Sequence, residues 1–187
     1  MISVVVTPDL VGLDRIITKV RERIPAKGKR RRERLSEIKF SFCGDKTREY
    51  VLRSLSQEDV KIYNLIIDKQ GRKVVDSPEN FALLISTVLK HPLRDTPDLN
   101  HILIDRHFTF VTQRERFNSS LRNRIGREVF VEHLDSLQNP VISLADFVAG
   151  AVRYHYARGD TRFKNIIGEK IIEEKTLSWK QLKSGIT

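Results

Sequence analysis

The segment from Ser143 to Tyr156, SLADFVAGAVRYHY, restricts the fold most, because it sets one carboxylate, Asp146, in a run that is otherwise apolar through Val152. A helix that is apolar on nearly every face is a buried helix. An ionised aspartate in such a helix costs several kcal/mol unless a cation or hydrogen-bond donors meet it. The sequence therefore predicts a buried helix in which Asp146 has a partner.

A second carboxylate, Asp105, ends the apolar segment Ile102-Leu-Ile, which is typical of a core strand. Open α/β sheets place their chemistry at such strand ends. Two converging carboxylates repel each other, and a divalent metal is the usual remedy. Two alternatives stay open. Asp146 is otherwise a protonated core carboxyl or a helix-start residue bonded to backbone, and Asp105 is otherwise a turn residue paired with Arg106.

Strands that alternate with helices of ten to fifteen residues predict an α/β fold with a largely parallel sheet. The length of 187 residues fits one domain, from 1 to 187. We expect helix starts at Thr7-Pro8 and Ser77-Pro78, a helix end at Pro92, and a helical tail from about residue 160. The predicted strands are Ile2 to Val6, Glu37 to Cys43, Val60 to Ile67, His101 to Ile104 and Val129 to Val131.

Several protein classes are excluded by missing motifs. The sequence has no GxxxxGK[ST] loop, no GxGxxG loop, no zinc-type spacing of Cys and His, and no GxSxG elbow. The single cysteine, Cys43, permits no internal disulfide and fits a reducing cytosol. No segment approaches the roughly eighteen apolar residues of a membrane span, and no leader is evident. We therefore expect a soluble cytoplasmic protein that does not enter a membrane.

The net charge of +10, with a pI near 9.9, favours a polyanionic partner such as nucleic acid. Six positive charges lie in the segment Lys27 to Arg34, KGKRRRER. We call it the basic segment and predict that Arg30, Arg31 and Arg32 contact phosphates; the alternative is a solvated loop. A second cationic surface is predicted from Arg114, Arg116, Arg122, Arg124 and Arg127, with Phe108, Phe110 and Phe117 as candidate stacking or core residues.

Four segments, in their order along the chain, resemble a known family: Ser36-Glu37-Ile-Lys39, Leu103-Ile-Asp105-Arg106, His133-Leu-Asp-Ser136 and Leu144-Ala-Asp146-Phe-Val-Ala-Gly150. The chain resembles the ribonuclease H-like domain-of-unknown-function family numbered 3800 from Ile2 to about Tyr156. The resemblance implies a ribonuclease H-like mixed sheet flanked by helices. Its clustered acids would bind Mg²⁺ or Mn²⁺.

The resemblance implies that three residues stand at the family's acidic positions: Glu37, Asp105 and Asp146. These are the predicted catalytic metal ligands. Two metals about 3.5–4 Å apart would activate water and stabilise the leaving oxygen of a phosphodiester. On its own, Glu37 is a solvated strand residue.

Other residues of these segments have expected supporting roles. We expect Lys39, Arg106 and Ser136 to contact nucleic acid. His133 is the fourth predicted catalytic residue, as a proton shuttle or ligand, with a surface or capping role as its alternative.

The chain departs from the family pattern at its start. The family opens on a strand with an Asp-Glu-Ser-Gly segment, which would precede Ile2 here. We expect either that this segment lies upstream, or that the protein lacks the first acid and binds metal weakly. The loss of this strand would expose unpaired backbone and favour a homodimer through the sheet edge.

Three functions follow from these features. The first is a metal-dependent nuclease, weakened if the first acid is missing. The second is a non-catalytic basic module that binds nucleic acid or serves in assembly. The third is an oligomeric scaffold that does not bind nucleic acid.

Overall fold

The computed structural model describes residues 1–23, 38–136 and 138–185. Within these residues the chain forms seven α-helices and five strands, so the predicted α/β class is confirmed. The helices are α1 Leu10–Arg23, α2 Asp45–Gln57, α3 Pro78–Asp95, α4 Val111–Ile125, α5 Ser143–Arg158, α6 Arg162–Ile166 and α7 Trp179–Ser184. The strands are β1 Ile2–Val6, β2 Lys61–Asp68, β3 His101–Asp105, β4 Phe130–Leu134 and β5 Ile171–Ser178.

The described strands form two small sheets, where the sequence predicts one. The order in the larger sheet is β1-β2-β5, and β3 pairs with β4 in the smaller one. Strand β5 lies where a helical tail is predicted, so that prediction is wrong for residues 171–178. The sequence Ile171-Ile-Glu-Glu-Lys-Thr-Leu-Ser178 contains β-branched residues that suit a strand, and it pairs with β2.

Two helix boundaries differ from the sequence prediction. Helix α1 begins after Asp9, whose Oδ1 accepts a hydrogen bond from the Gly12 N–H at 2.9 Å. Thr7 instead accepts a hydrogen bond from the Asp9 N–H, so it precedes the cap. Helix α3 begins as predicted, with Ser77 as its N-cap, but continues through Pro92 to Asp95. A proline in the last turn removes one backbone donor, and three more residues still complete the turn.

The predicted strand from Glu37 to Cys43 is wrong over its described part. Residues Phe40–Phe42 form a turn of 3-10 helix instead. Glu37 itself lies outside the described residues, as does the basic segment with Arg30, Arg31 and Arg32. The reason for the turn is the set of contacts that Phe40 makes with α5, which are described below.

The chain divides into two compact units. The first unit comprises residues 1–4, 63–133 and 173–187, and its core joins α3, α4, β3 and β4 through apolar residues such as Leu89, Ile104 and Phe117. The second unit comprises residues 5–62 and 134–172, and its core joins α1, α2, α5 and α6 through residues such as Ile17 and Phe147. The prediction of a single ribonuclease H-like domain stays a prediction.

Within residues 1–23, 38–136 and 138–185, no helix combines the length and the hydropathy that crossing a lipid bilayer needs.

Candidate nucleic-acid interface

Asp146, in the first turn of α5, is held by the backbone of a distant segment. Its Oδ2 accepts a hydrogen bond from the Phe40 N–H at 2.9 Å, and the side chain is partly buried. A carboxylate that accepts a backbone N–H forms a charge-assisted hydrogen bond. Of the alternatives drawn from the sequence, the helix-start residue bonded to backbone is therefore the one that the structure shows.

Gly150, one turn after Asp146, faces the same residue. A Cβ atom at Gly150 would lie 2.3 Å from Cγ of Phe40, so only a glycine lets the ring pack against the backbone of α5. Residues four apart lie on one face of a helix, and this spacing places both contacts on Phe40. The pair Asp146 and Gly150 thus fixes the position of Phe40 against α5.

Arg48 of α2 completes the enclosure of Phe40. Its Nε donates to the Phe40 carbonyl oxygen at 2.9 Å, and its guanidinium carbon lies 4.5 Å from the centre of the Phe40 ring. Its Nη1 pairs with Oδ1 of Asp45 at 3.1 Å. A guanidinium over an aromatic face is attracted by the ring quadrupole, and here two further hydrogen bonds fix its orientation.

Two more arginines converge on Tyr154. Nη1 of Arg158 donates to the Tyr154 hydroxyl oxygen at 3.1 Å, and Nη2 of Arg162 approaches the same oxygen at 3.5 Å. Arg158 lies over the Tyr154 ring at 4.7 Å, and Arg162 lies over the Phe163 ring at 4.5 Å. The hydrogen bonds from Arg162 and Arg158 lower the pKa of the Tyr154 hydroxyl below its usual value.

We call Arg48, Arg158, Arg162 and Tyr154 the arginine cluster. Two aspartates fix Arg162, since its Nη2 lies 2.8 Å from Oδ2 of Asp45 and its Nε lies 3.0 Å from Oδ2 of Asp160. The hydrogen bond with Tyr154, followed by the charge of Asp45, raises the pKa of Arg162.

Each guanidinium of the cluster keeps a nitrogen that can still donate. In the part of the chain that the structure describes, Nη2 of Arg48, Nη2 of Arg158 and Nη1 of Arg162 make no hydrogen bond. The side chains are therefore held in place without all their donors being used. Such preorganised guanidinium groups suit phosphate oxygens, which they bind in a fork geometry.

Two of the three predicted metal ligands lie in the described residues, and Glu37 lies outside them. Asp105 ends β3, as predicted, and is exposed in the first unit, while Asp146 belongs to the second unit. Asp105 and Arg106 both interact with other residues of the structure. Among residues 1–23, 38–136 and 138–185, no group of three His, Cys, Asp or Glu side chains is arranged to hold a metal ion.

His133 lies in β4, because that strand continues to Leu134, beyond the predicted end at Val131. Its Nε2 is 2.8 Å from Oδ1 of Asn118, which makes Nε2 the protonated nitrogen and leaves Nδ1 as a buried acceptor. Burial, and then the charge of Arg114, lower the pKa of His133. Lys39 and Ser136 are both partly buried, and Lys39 interacts with other residues.

The predicted cationic surface around α4 consists largely of arginines with structural partners. Arg114 donates to the carbonyl oxygens of Phe108 and Thr109, and Arg116 pairs with Glu79 at 2.7 Å. Arg127 donates to three backbone carbonyls, one in the last turn of α3 at residue 93 and two in the loop before β3 at residues 97 and 99. Phe108 and Phe117 are buried core residues. Arg122 and Arg124 remain exposed, without an ion pair among the described residues.

No member of the arginine cluster was predicted from the sequence. One signal was present, because Tyr154 and Arg158 stand four residues apart and share a face if the predicted helix continues two residues past Tyr156, as α5 does. Arg48 and Arg162 carry no local signal, since their partners are brought to them by packing.

Comparison of this chain with protein-family models, with curated proteins and with solved structures finds no match. The resemblance to the ribonuclease H-like family rests on the four short segments quoted above and stays a prediction.

Proposed function

We propose that this protein binds nucleic acid through the phosphate backbone, by means of the arginine cluster and the basic segment. The observation that carries the proposal is the convergence of three arginines around Tyr154, each with a nitrogen left to donate. Arg158 and Arg162 reach the Tyr154 hydroxyl, and the guanidinium carbon of Arg48 lies 5.9 Å from the centre of the Tyr154 ring. Neutralisation of phosphates by Lys and Arg supplies most sequence-independent affinity for nucleic acid. The net charge of +10 favours the same class of partner.

Phe40 contacts the arginine cluster and stands close in sequence to the basic segment, which lies outside the described residues. The basic segment ends at Arg34, six residues before Phe40 in the sequence. Phe40 is fixed by Asp146 through its N–H, by Arg48 through its carbonyl and by Gly150 through its ring. The backbone at Phe40 is therefore held against Arg48 of the arginine cluster.

Asp45 and Asp160, which pair with Arg162, partly neutralise the arginine cluster. They also lower the entropic cost of binding a phosphate. Asp45 and Asp160 hold Arg162 in one orientation, so less side-chain freedom is lost when a phosphate binds. Arg158 pairs with the neutral Tyr154 hydroxyl and with no carboxylate of the described residues, so its charge is the least compensated of the three. We therefore assign Arg158 the largest single contribution from the cluster.

Fluorescence anisotropy with a labelled twelve-nucleotide oligothymidylate and a matching duplex tests the proposal. Arg158→Ala is expected to weaken binding roughly five-fold or more, as loss of a charge-assisted hydrogen bond predicts. Arg153→Ala is the matched control: it removes the same charge from the same helix at an exposed position without a partner among the described residues. Absence of binding to either probe, or equal losses in both variants, would contradict the proposal.

A metal-dependent nuclease is the second candidate. One observation favours it besides the family resemblance: Asp146 is partly exposed, and its Oδ1 makes no hydrogen bond to a described residue. In this proposal Glu37, Asp105 and Asp146 bind Mg²⁺ or Mn²⁺, whose role is to activate water.

Calorimetric titration with Mn²⁺ distinguishes this candidate from binding alone. The Asp146→Asn variant should lose Mn²⁺ binding if the carboxylate is a ligand. Gly150→Ala is the control, because it disturbs the same contact with Phe40 and keeps the carboxylate. Equal binding in the wild type and in Asp146→Asn would exclude Asp146 as a ligand.

A further inference from the structure

A groove of about 550 Å³ lies in the first unit, where the start of β3, the start of β4 and the last turn of α4 meet. Small-molecule sites commonly enclose about 300–1,000 Å³. No residue of the arginine cluster lines the groove. Its six lining residues are Asn100, His101, Arg122, Glu128, Val129 and Phe130.

Backbone and side-chain hydrogen bonds fix the walls of this groove. The Phe130 N–H donates to the Asn100 carbonyl oxygen at 2.7 Å, which joins the two strand starts. Helix α4 ends where the Gly126 N–H donates to the Arg122 carbonyl oxygen at 3.0 Å. Arg127 then donates to two carbonyl oxygens of the loop before β3. The walls are therefore held in place before a ligand arrives, which favours binding.

One wall is aromatic. Phe130 is 62% exposed, and its ring centre lies 5.0 Å from that of His101. Nε2 of His101 lies 3.0 Å from Oε2 of Glu132. Because a carboxylate only accepts, Nε2 carries the proton and Nδ1 stays an acceptor. The groove thus presents an aromatic surface whose histidine is held in one orientation.

Two opposite charges line the same groove without pairing. Arg122 and Glu128 are both exposed, and neither forms an ion pair with a described residue. The side-chain amide of Asn100 also makes no hydrogen bond within the part of the chain that the structure describes. A groove for phosphate alone would not hold a carboxylate, because like charges repel. A ligand that carries an anion, hydrogen-bond donors and an aromatic ring matches all of these groups.

We infer that this groove is a binding site for an adenine nucleotide. The base packs against the Phe130 ring, and the Asn100 amide both donates to and accepts from the adenine edge. Arg122 binds the phosphate with a charge-assisted hydrogen bond, and Glu128 accepts from the ribose hydroxyls. The site goes beyond the proposed function and does not depend on it.

Calorimetric titration with adenosine 5′-monophosphate (AMP), adenosine and ribose 5-phosphate tests this site. The wild type should bind AMP about ten-fold more tightly than either fragment. Arg122→Ala removes the cation for the phosphate, so it should bind AMP no better than adenosine. Phe130→Leu removes the aromatic face, so it should bind AMP no better than ribose 5-phosphate. Phe130→Tyr keeps that face and should bind AMP like the wild type.

Two control variants locate the effect in the groove. Arg124→Ala removes the same charge from α4 at an exposed position that does not line the groove. Arg158→Ala changes the arginine cluster. Both variants should bind AMP like the wild type. Absence of AMP binding at millimolar concentration, or equal losses in Arg122→Ala and Arg124→Ala, would overturn the site. The nucleic-acid proposal would still stand, because its own test uses Arg158→Ala and oligonucleotides.

A free nucleotide and a nucleotide within a strand carry the same chemistry, and a labelled twelve-nucleotide oligoadenylate distinguishes them. If the ligand is part of a strand, Arg122→Ala and Phe130→Leu should weaken binding of this probe as they weaken binding of AMP. If the ligand is a free nucleotide, binding of the probe should not change in these variants. Both side chains are exposed, so the variants should fold, and circular dichroism checks this.

Discussion

Oδ2 of Asp146 accepts a hydrogen bond at 2.9 Å from the backbone nitrogen of Phe40, across 106 residues of sequence. This contact satisfies a carboxylate that the sequence places in an apolar helix. It also fixes the residue around which Arg48 and the aromatic rings of the second unit assemble. The aspartate that indicated a metal site in the sequence therefore has a structural role in the second unit.

Replacement of Asp146 is expected to destabilise the protein. Asp146→Ala leaves the Phe40 N–H without its acceptor and should cost about 1–3 kcal/mol in the free energy of unfolding. Asp146→Asn keeps an acceptor oxygen at the same position and should cost less. Urea unfolding followed by circular dichroism measures both values. If the two variants were equally stable, the hydrogen bond to Phe40 would not be what the carboxylate contributes.

Gly150→Ala should destabilise the protein through overpacking. The added Cβ would lie 2.3 Å from Cγ of the buried Phe40 ring, and the expected cost is about 1–3 kcal/mol. Gly168→Ala is the matched control, because no atom lies within 4 Å of its added Cβ. That variant should stay within about 0.5 kcal/mol of the wild type. Similar losses at both positions would show that the close approach of Phe40 is not responsible.

His133 should make the protein less stable in acid. Its pKa in the folded state is lowered, first by burial and then by Arg114, from a usual value of 6.5. The unfolded chain therefore takes up this proton at a higher pH than the folded chain does. The contribution to stability is complete above about pH 6.5, and it is lost as the pH falls toward and through the folded pKa.

The measurement is urea unfolding of the wild type and His133→Gln between pH 7.5 and pH 4.5. As the pH falls, the unfolding free energy of the wild type should decrease more than that of His133→Gln. The other four histidines are common to both proteins and contribute equally. A difference that is constant over the whole range would contradict the assigned environment of His133.

Much of the fold could be predicted from local patterns. Strand β1, the start of α3 at Ser77 and the buried helix that contains Asp146 all have signals within a few neighbouring residues. The errors concern segments whose structure depends on distant partners. Phe40–Phe42 has an alternating, strand-like sequence, yet its conformation is set by α5 and Arg48. Residues 171–178 pair with β2, more than 100 residues earlier in the chain.

The candidate site was predictable only in its general chemistry. The positive charge indicated a polyanionic partner, and that reasoning needs no coordinates. The individual arginines were not predictable, because Arg114 and Arg127 stand in a charge-rich segment and yet bind backbone carbonyls. Arg48 and Arg162 are separated by more than 100 residues, and both pair with Asp45. Such convergence arises from packing and leaves no pattern in the sequence.

The salt dependence of binding to the oligothymidylate tests the proposed nucleic-acid function most directly. If three arginines of the basic segment and one of the cluster neutralise phosphates, the logarithm of the association constant should fall against the logarithm of salt concentration with a slope of about −3. Replacement of Arg30, Arg31 and Arg32 by alanine should make that slope shallower by about 2. Binding that is absent, or that does not depend on salt, would contradict the account.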